Sequence, residues 1–139
     1  MAIPDEAEEL IDGAAEMAHL ATSVDDRPHV APVWYAYDDG RLSTITGGRK
    51  LENVRENPRV AVSIERSVEG SAEWMVVLRG RATVVEDRER RRKAAERIYP
   101  KYLGEDVERW DTYYRESIED APGGMLIEVD VASAALQVY

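Results

Sequence analysis

The apolar positions of this chain change period several times, and the changes mark out its elements. Residues 4–16, PDEAEELIDGAAE, open on proline and acids and then place Leu10, Ile11 and Ala14 at helical spacing, which predicts a short N-terminal helix packed as a lid on the rest. MAHLATSV (17–24) and RPHVAPVWYAY (27–37) read as strands joined by an Asp25-Asp26 turn. Asp39-Gly40 makes a second hairpin into RLSTIT, whose strand runs from Leu42 to Thr46, so that the three form a meander. A helical turn over 49–56 ends at Asn57-Pro58, and RVAVSIE (59–65) resumes the strand pattern. EWMVVLRGRATVV (73–85) is long enough to bend across two sides of a barrel, with Gly80 at the position that tolerates a kink.

From 86 to 120 the period becomes helical. Ala94, Ala95, Ile98 and Tyr102 form one stripe, Val107, Trp110, Tyr114 and Ile118 form another, and Pro100 and Gly104 divide them. Met125, Ile127, Val129 and Val131 then alternate with polar residues, ahead of a last strand from Ala134 to Tyr139. Six or seven strands with peripheral helices predict a mainly β fold, a small closed antiparallel barrel with helices outside. With 139 residues and no internal repeat, low-complexity tract or linker, the chain is expected to be one domain over 1–139.

Composition narrows the function classes. There are 28 acidic and 18 basic side chains, for a formal charge of -10, which disfavours nucleic acid and anionic membrane as partners. Only Lys50, Lys93 and Lys101 are lysine, leaving 15 of the 18 basic residues as arginine; abundant carboxylates with few lysines suggest a halophilic source. The basic run RERRRK (88–93) is interspersed with and followed by acids in a helical context and reads as a solvated face. There is no signal-type apolar stretch and no membrane-length apolar run, so a cytoplasmic location is expected; the lack of cysteine says nothing about compartment. His19 and His29 are the only histidines and, without cysteine or an HExxH pattern, make no metal site.

The most informative short stretch is Gly47-Gly48-Arg49-Lys50. It places two cations at the start of a helix, where the peptide dipoles are already positive, an arrangement that costs stability unless an anion shares the site. The spacing is not that of a P-loop, which removes the main support for nucleotide hydrolysis. Backbone N–H groups at the helix start, two cations, and the hydroxyls of Thr44 and Thr46 are together sufficient to bind a monophosphate.

The wider stretch HLATSVDDRPHVAPVWYAYDDGRLSTITGGRKLENVRENPRVAVSIE (19–65) resembles the pyridoxamine 5'-phosphate oxidase-like flavin-binding split barrels of the flavin/deazaflavin oxidoreductase superfamily. The likeness rests on Leu20-Ala21-Thr22, on Pro28-His29-Val30 followed by Pro32-Val33-Trp34-Tyr35, on Thr44 and Asn53 flanking Lys50, and on Asn57-Pro58-Arg59-Val60. Trp74 and Gly80 on a long strand, with an alternating C-terminal strand pair, extend it more weakly. The resemblance implies a Greek-key split β-barrel that forms a homodimer with FMN at the subunit interface and acts on a small organic substrate. By it, Arg49 and Lys50 hold the 5'-phosphate with Thr44 or Thr46, and Ala31, Pro32, Val33 and Trp34 lie along the isoalloxazine ring.

Pro32 suits that place, because a proline in a strand cannot donate to a neighbouring strand. Trp74 or Trp110 from the second subunit is expected over the ring; against this, Trp74 alternates with Val76 and Leu78 as a core residue would, and Trp110 belongs to an apolar stripe. The arginine-rich substrate segment of the pyridoxamine phosphate oxidases has no counterpart in AALQVY, so vitamin B6 oxidation is not expected. Two alternatives stand beside an FMN enzyme: use of the deazaflavin F420, and a non-enzymatic flavin or haem carrier. No acid–base pair or nucleophile stands out as catalytic.

Overall fold

A computed structural model describes residues 3–139. Helix α1 (Asp5–Ile11) precedes strands β1 (Ala18–Val24), β2 (Arg27–Val33), β3 (Ala36–Asp38) and β4 (Arg41–Thr46). Helix α2 (Gly48–Glu56), strands β5 (Arg59–Val68) and β6 (Ser71–Val85), and helix α3 (Arg88–Leu103) follow. A 3-10 turn (Val107–Arg109), helix α4 (Thr112–Glu119) and strand β7 (Met125–Val138) complete the chain. The seven strands form one antiparallel sheet in the order β2-β1-β5-β6-β7-β4-β3, the mainly β architecture with peripheral helices that the sequence predicts. No helix among the described residues is long and apolar enough to cross a membrane.

The order explains how the sheet closes. β2 and β3 are consecutive in the chain yet stand at opposite margins of the sheet. Only Trp34 and Tyr35 separate them, a span of at most about 11 Å from Val33 to Ala36, so the margins must meet there and the sheet curls into a split barrel. The expected single strand over 27–37, and the three-stranded meander built on it, are therefore corrected. The backbone leaves the ladder at 34–35, where side chains satisfy it: the Thr44 hydroxyl donates to the Trp34 carbonyl at 2.6 Å, and the Tyr35 N–H donates to the Tyr102 hydroxyl at 3.2 Å.

Three hairpins are tight because their turn residues take positive φ, as the right-handed twist of paired strands demands. Asp25 and Asp26 (φ 52° and 60°) join β1 to β2, and Asp39 and Gly40 (43° and 81°) join β3 to β4. Glu69 and Gly70 (49° and 83°) join β5 to β6. The first two turns are those expected; the third extends its strands beyond the predicted ends.

β6 bends where expected. Its register on β7 slips between Arg79, opposite Ser133, and Gly80, opposite Val131. A Cβ on Gly80 would lie 2.2 Å from the Asp130 carbonyl oxygen, so only glycine permits the approach. The same bulge lets β7 run unbroken from Met125 to Val138, which corrects the expectation of two C-terminal strands.

Alternate residues point inward. Val60, Val62 and Ile64 of β5, Trp74, Val76 and Leu78 of β6, and Ile127, Val129 and Val131 of β7 fill the barrel with Leu20, Tyr35 and Leu42, and α1 caps it through Ala7 and Ile11. That helix is shorter than the predicted 4–16. A second core lies outside the barrel, where Ala95, Ile98 and Tyr99 of α3 meet Ala36, Leu126 and Trp110. α3 continues through Pro100 to Gly104, whose N–H bonds the Pro100 carbonyl at 3.0 Å, so proline does not divide the helix. The arginines of RERRRK are held within the chain: Arg91 donates to the Pro122 carbonyl at 2.6 Å, Arg92 pairs with Glu89 at 2.6 Å and also with Glu96, Arg90 pairs with Glu128, and Arg88 with Asp120.

Candidate functional site

The α2 start carries two cations on an uncapped helix end. β4 ends at Thr46, Gly47 is extended, and Gly48 takes φ +68° with open space around a would-be Cβ, so its glycine is required by backbone conformation alone. No side chain caps the helix and its first turn holds no acid, which leaves its N–H groups and positive dipole uncompensated. Arg49 and Lys50 are the next two residues. The Arg49 guanidinium is 68% exposed and lies 3.5 Å from Glu52, an i,i+3 surface pair that binds it weakly. Lys50 is half-buried and has no carboxylate partner among the described residues.

Buried amides fix this helix to the sheet. Asn53 Nδ2 donates to Thr22 Oγ1 at 3.0 Å, with both residues buried, and Asn57 Nδ2 donates to the Ser23 carbonyl at 3.0 Å while its Oδ1 accepts from the Arg59 N–H at 3.1 Å. Between α2 and the β1–β2 hairpin runs a polar groove of about 770 Å³. Asp25, Arg27 and His29 of the hairpin line it on one side and Arg49, Glu52 and Glu56 of α2 on the other. Within it His29 Nδ1 is the one buried side-chain nitrogen or oxygen without a hydrogen-bond partner among the described residues.

Further along β2 an aromatic pocket of about 300 Å³ opens. Pro32, Val33 and Trp34 form one wall, Ile45 and Thr46 of β4 the floor, and Tyr99, Tyr113 and Tyr114 of the outer helices the other wall, with Met17 at the side. The Trp34 indole is stacked on Tyr102 at 4.8 Å between centroids and 5° between planes. Tyr99 meets it edge-on at 6.1 Å, and Tyr114 lies tilted at 5.6 Å. Tyr102 is itself held, its hydroxyl donating to the Glu16 carbonyl at 2.8 Å while accepting from Tyr35. Burial pushes the Tyr102 phenol up to about 12, and desolvation with the neighbouring Tyr113 and Tyr114 pushes Tyr99 higher still. Both remain hydroxyl donors at neutral pH.

The groove and the pocket share one edge strand. β2 pairs only with β1, and its other margin has no strand partner. Pro28 and Pro32, which have no N–H to give a ladder, sit on it four residues apart, and Val30 between them is 64% exposed. His29 lines the groove and Pro32 the pocket, about 10 Å apart along an extended strand. Thr46 and Arg49 repeat the pairing at the α2 start, Thr46 on the pocket and Arg49 on the groove.

Of the residues singled out in the sequence, Arg49, Thr46, Pro32, Val33 and Trp34 line these two cavities; Lys50 adjoins them in the chain, and Ala31 is half-buried on β2 opposite Leu20. Thr44 is fully buried and its hydroxyl proton is engaged by the Trp34 carbonyl, so it holds the backbone between β2 and β3 and lines neither cavity. Trp74 is 7% exposed within the barrel core, and Trp110 is 4% exposed with its indole N–H donating to the Gly104 carbonyl at 2.9 Å. Both occupy the core positions that alternation and stripe allowed. The sequence reading missed Arg27, Tyr99 and Tyr113 as site residues. The density of tyrosine between 99 and 114 was the available signal, and it was absorbed into helix stripes.

Comparison with known proteins agrees with this geometry. The family model for pyridoxamine 5'-phosphate oxidase matches residues 4–135. An uncharacterised protein of Rhizobium meliloti is 33% identical over 69 residues, 49% of this chain and 46% of that protein, so the match spans just under half the length of this curated relative. A solved FAD-binding protein of Mesorhizobium loti superposes with a TM-score of 0.69 at 21% identity, covering 96% of this chain and 94% of that one. A solved F420 reductase gives 0.70 at 23% identity, covering 96% and 98%. At these identities the two structures speak for the fold.

Proposed function

The chain belongs to the pyridoxamine 5'-phosphate oxidase family, whose model covers residues 4–135, and on that premise we propose that it is an FMN-dependent oxidoreductase acting on a small organic substrate. One observation carries the reading. A single unpaired strand margin bears a polar groove at one end, where Arg27 and Arg49 stand among three carboxylates, and an uncharged aromatic pocket at the other, about 10 Å apart. A molecule with a phosphorylated tail, a flexible spacer and a planar head fits that sequence of environments.

Arg49 and Lys50 with the free N–H groups of α2 hold the phosphate dianion, which resolves the conflict between their charge and the helix dipole. Pro32, Val33 and Trp34 orient the ring; the half-buried Ala31 lies beside them. The bound flavin supplies the two-electron chemistry, and the protein supplies the anchor, the slot and exclusion of water. The chain's own part in the reaction is thus positional, consistent with the absence of an evident acid–base pair. The bare β2 margin and the exposed Val30 favour a second copy of the chain against this edge, as a homodimer with the cofactor between subunits.

F420 is the second reading. The groove extends past Arg49 along α2 to Glu56 and is larger than a lone phosphate requires, although Glu52 and Glu56 on that stretch oppose an acidic tail. Titrating the purified chain with FMN and with F420, followed by absorbance and fluorescence, separates the two. Submicromolar FMN binding with weak F420 binding supports the first reading, the reverse supports the second, and a chain that takes up neither removes both.

A further inference from the structure

Four of the chain's seven tyrosines gather around Trp34, and they differ in where they lead. Tyr102 is stacked on the indole at 4.8 Å, its phenol donating to the Glu16 carbonyl and accepting from the Tyr35 N–H. A phenol gives up an electron readily only as its proton leaves, and a backbone carbonyl is too weak a base to take that proton. Tyr102 is therefore a closed branch for oxidation. A second line runs outward: Tyr114 stands 5.6 Å from the indole, and Tyr113, 5.2 Å beyond it, is 50% exposed, so its proton has solvent to go to. Tyr99 is buried 6.1 Å from Trp34 and 4.9 Å from Tyr114, with its hydroxyl against Tyr113 and Ser117. Both routes that leave Trp34 through these rings end at Tyr113.

Trp34 also lines the aromatic pocket. The chain has no cysteine, so an oxidant formed there meets indole, phenol or the thioether of Met17, and the thioether is consumed as sulfoxide. We propose that Trp34, Tyr114 and Tyr113 form an electron relay that carries oxidising equivalents from the pocket to the surface. A one-electron oxidant, such as an oxygen-centred radical, takes an electron from Trp34; Tyr114 refills the indole, and Tyr113 refills Tyr114. Trp34 and Tyr114 end unchanged. The net loss is one electron and one phenol proton from Tyr113, the proton passing to solvent, and a soluble hydrogen-atom donor such as ascorbate restores both. That such oxidants arise in this pocket rests on the flavin reading; the relay itself rests on the ring geometry.

The test is pulse radiolysis of the flavin-free chain carrying Tyr139→Phe, which removes the other exposed tyrosine. Azide radicals oxidise indole first, and Trp74 and Trp110 are buried in the cores, which leaves Trp34 as the entry point. The indolyl radical absorption is expected to decay into that of a phenoxyl radical at a rate independent of protein concentration. Tyr114→Phe, which keeps the ring and deletes the hydroxyl, is expected to slow that decay at least fivefold, while Tyr102→Phe leaves it within twofold. Tyr113→Phe should leave the phenoxyl radical on Tyr114, where its repair by ascorbate is at least fivefold slower. Parental decay in Tyr114→Phe, equal slowing in Tyr102→Phe, or parental repair in Tyr113→Phe would each overturn the proposal. Because no flavin is present, failure here leaves the flavin reading standing, and a chain that takes up no FMN still decides the relay.

Discussion

Thr44→Val separates two roles for one hydroxyl. Family resemblance makes Thr44 a phosphate ligand, whereas in the structure it donates at 2.6 Å to the Trp34 carbonyl from a fully buried position at the barrel seam. Valine keeps the shape and deletes the donor, leaving a partly buried carbonyl unpaired at a cost of about 1–3 kcal/mol. For 139 residues the unfolding entropy is about 0.3 kcal/mol/K, so the melting temperature should fall by about 3–10 °C. Because the lost bond releases Trp34, affinity for FMN and for riboflavin should fall together. Thr44→Ser keeps the donor, loses only a buried methyl at about 1 kcal/mol, and should retain both ligands. The assay is thermal unfolding of the ligand-free chain beside fluorescence titration with each flavin. A valine variant that melts within about 1 °C of wild type while losing FMN but not riboflavin would refute the seam role and restore the phosphate role.

Further tests fall on the fold that carries the site. Gly80→Ala drives a Cβ into the Asp130 carbonyl and should lower stability by more than about 2 kcal/mol, whereas Gly48→Ala meets open space and should lose only the roughly 1 kcal/mol of its positive φ; urea midpoints distinguish them. Asn53→Ala leaves the buried Thr22 hydroxyl unpaired, should cost about 1–3 kcal/mol in the same assay, and should loosen α2 enough to weaken FMN binding. Lys101 sets a pH dependence. Burial pulls its ammonium down from 10.5 to about 8, with Asp12 raising it and Arg97 lowering it, while Nζ bonds the Ala14 carbonyl at 2.9 Å and lies 3.9 Å from the Tyr35 ring centroid. Between about pH 8 and 10.5 the unfolded chain keeps a proton the folded chain has released, so stability should rise with pH. The ring face favours the cation, which holds the gain to the order of 1–2 kcal/mol. Above pH 10 the raised phenols of Tyr35 and Tyr102 reverse the slope, because only the unfolded chain ionises there. Urea midpoints at pH 7, 9 and 11 should rise and then fall, and Lys101→Met should abolish the rise.

Local patterns proved legible and remote satisfaction did not. The Asp25-Asp26 and Asp39-Gly40 turns, the inward alternation of β5 to β7 and the kink at Gly80 follow from residues within a few positions of one another. The break at Trp34–Tyr35 does not, because the groups that make it tolerable, Thr44 and Tyr102, lie 10 and 67 residues from the backbone atoms they satisfy. The continuity of β7 was masked by a bulge that shifts its period near Ala132, and Pro100 looked like a divider because the tertiary packing of Ile98 and Tyr99 was not visible. The site divides in the same way. Gly47 to Lys50 is a local motif readable as such, and Pro32, Val33, Trp34 and Thr46 of the aromatic pocket were singled out in the sequence, whereas Met17, Tyr99, Tyr113 and Tyr114 reach it only through the tertiary fold. Trp74 follows its local alternation with Val76 and Leu78 into the barrel core, and the family resemblance that put it over a ring does not override that pattern.

The central claim is that the α2 start binds the phosphate of a flavin, and comparing FMN with riboflavin on Arg49→Ala/Lys50→Ala tests it most directly. Each charge-assisted bond lost should cost about 1.5–3 kcal/mol, so the double variant should bind FMN at least a hundredfold more weakly while riboflavin, which has no phosphate, binds as in the wild type. Wild-type affinity of the double variant for FMN would contradict the account.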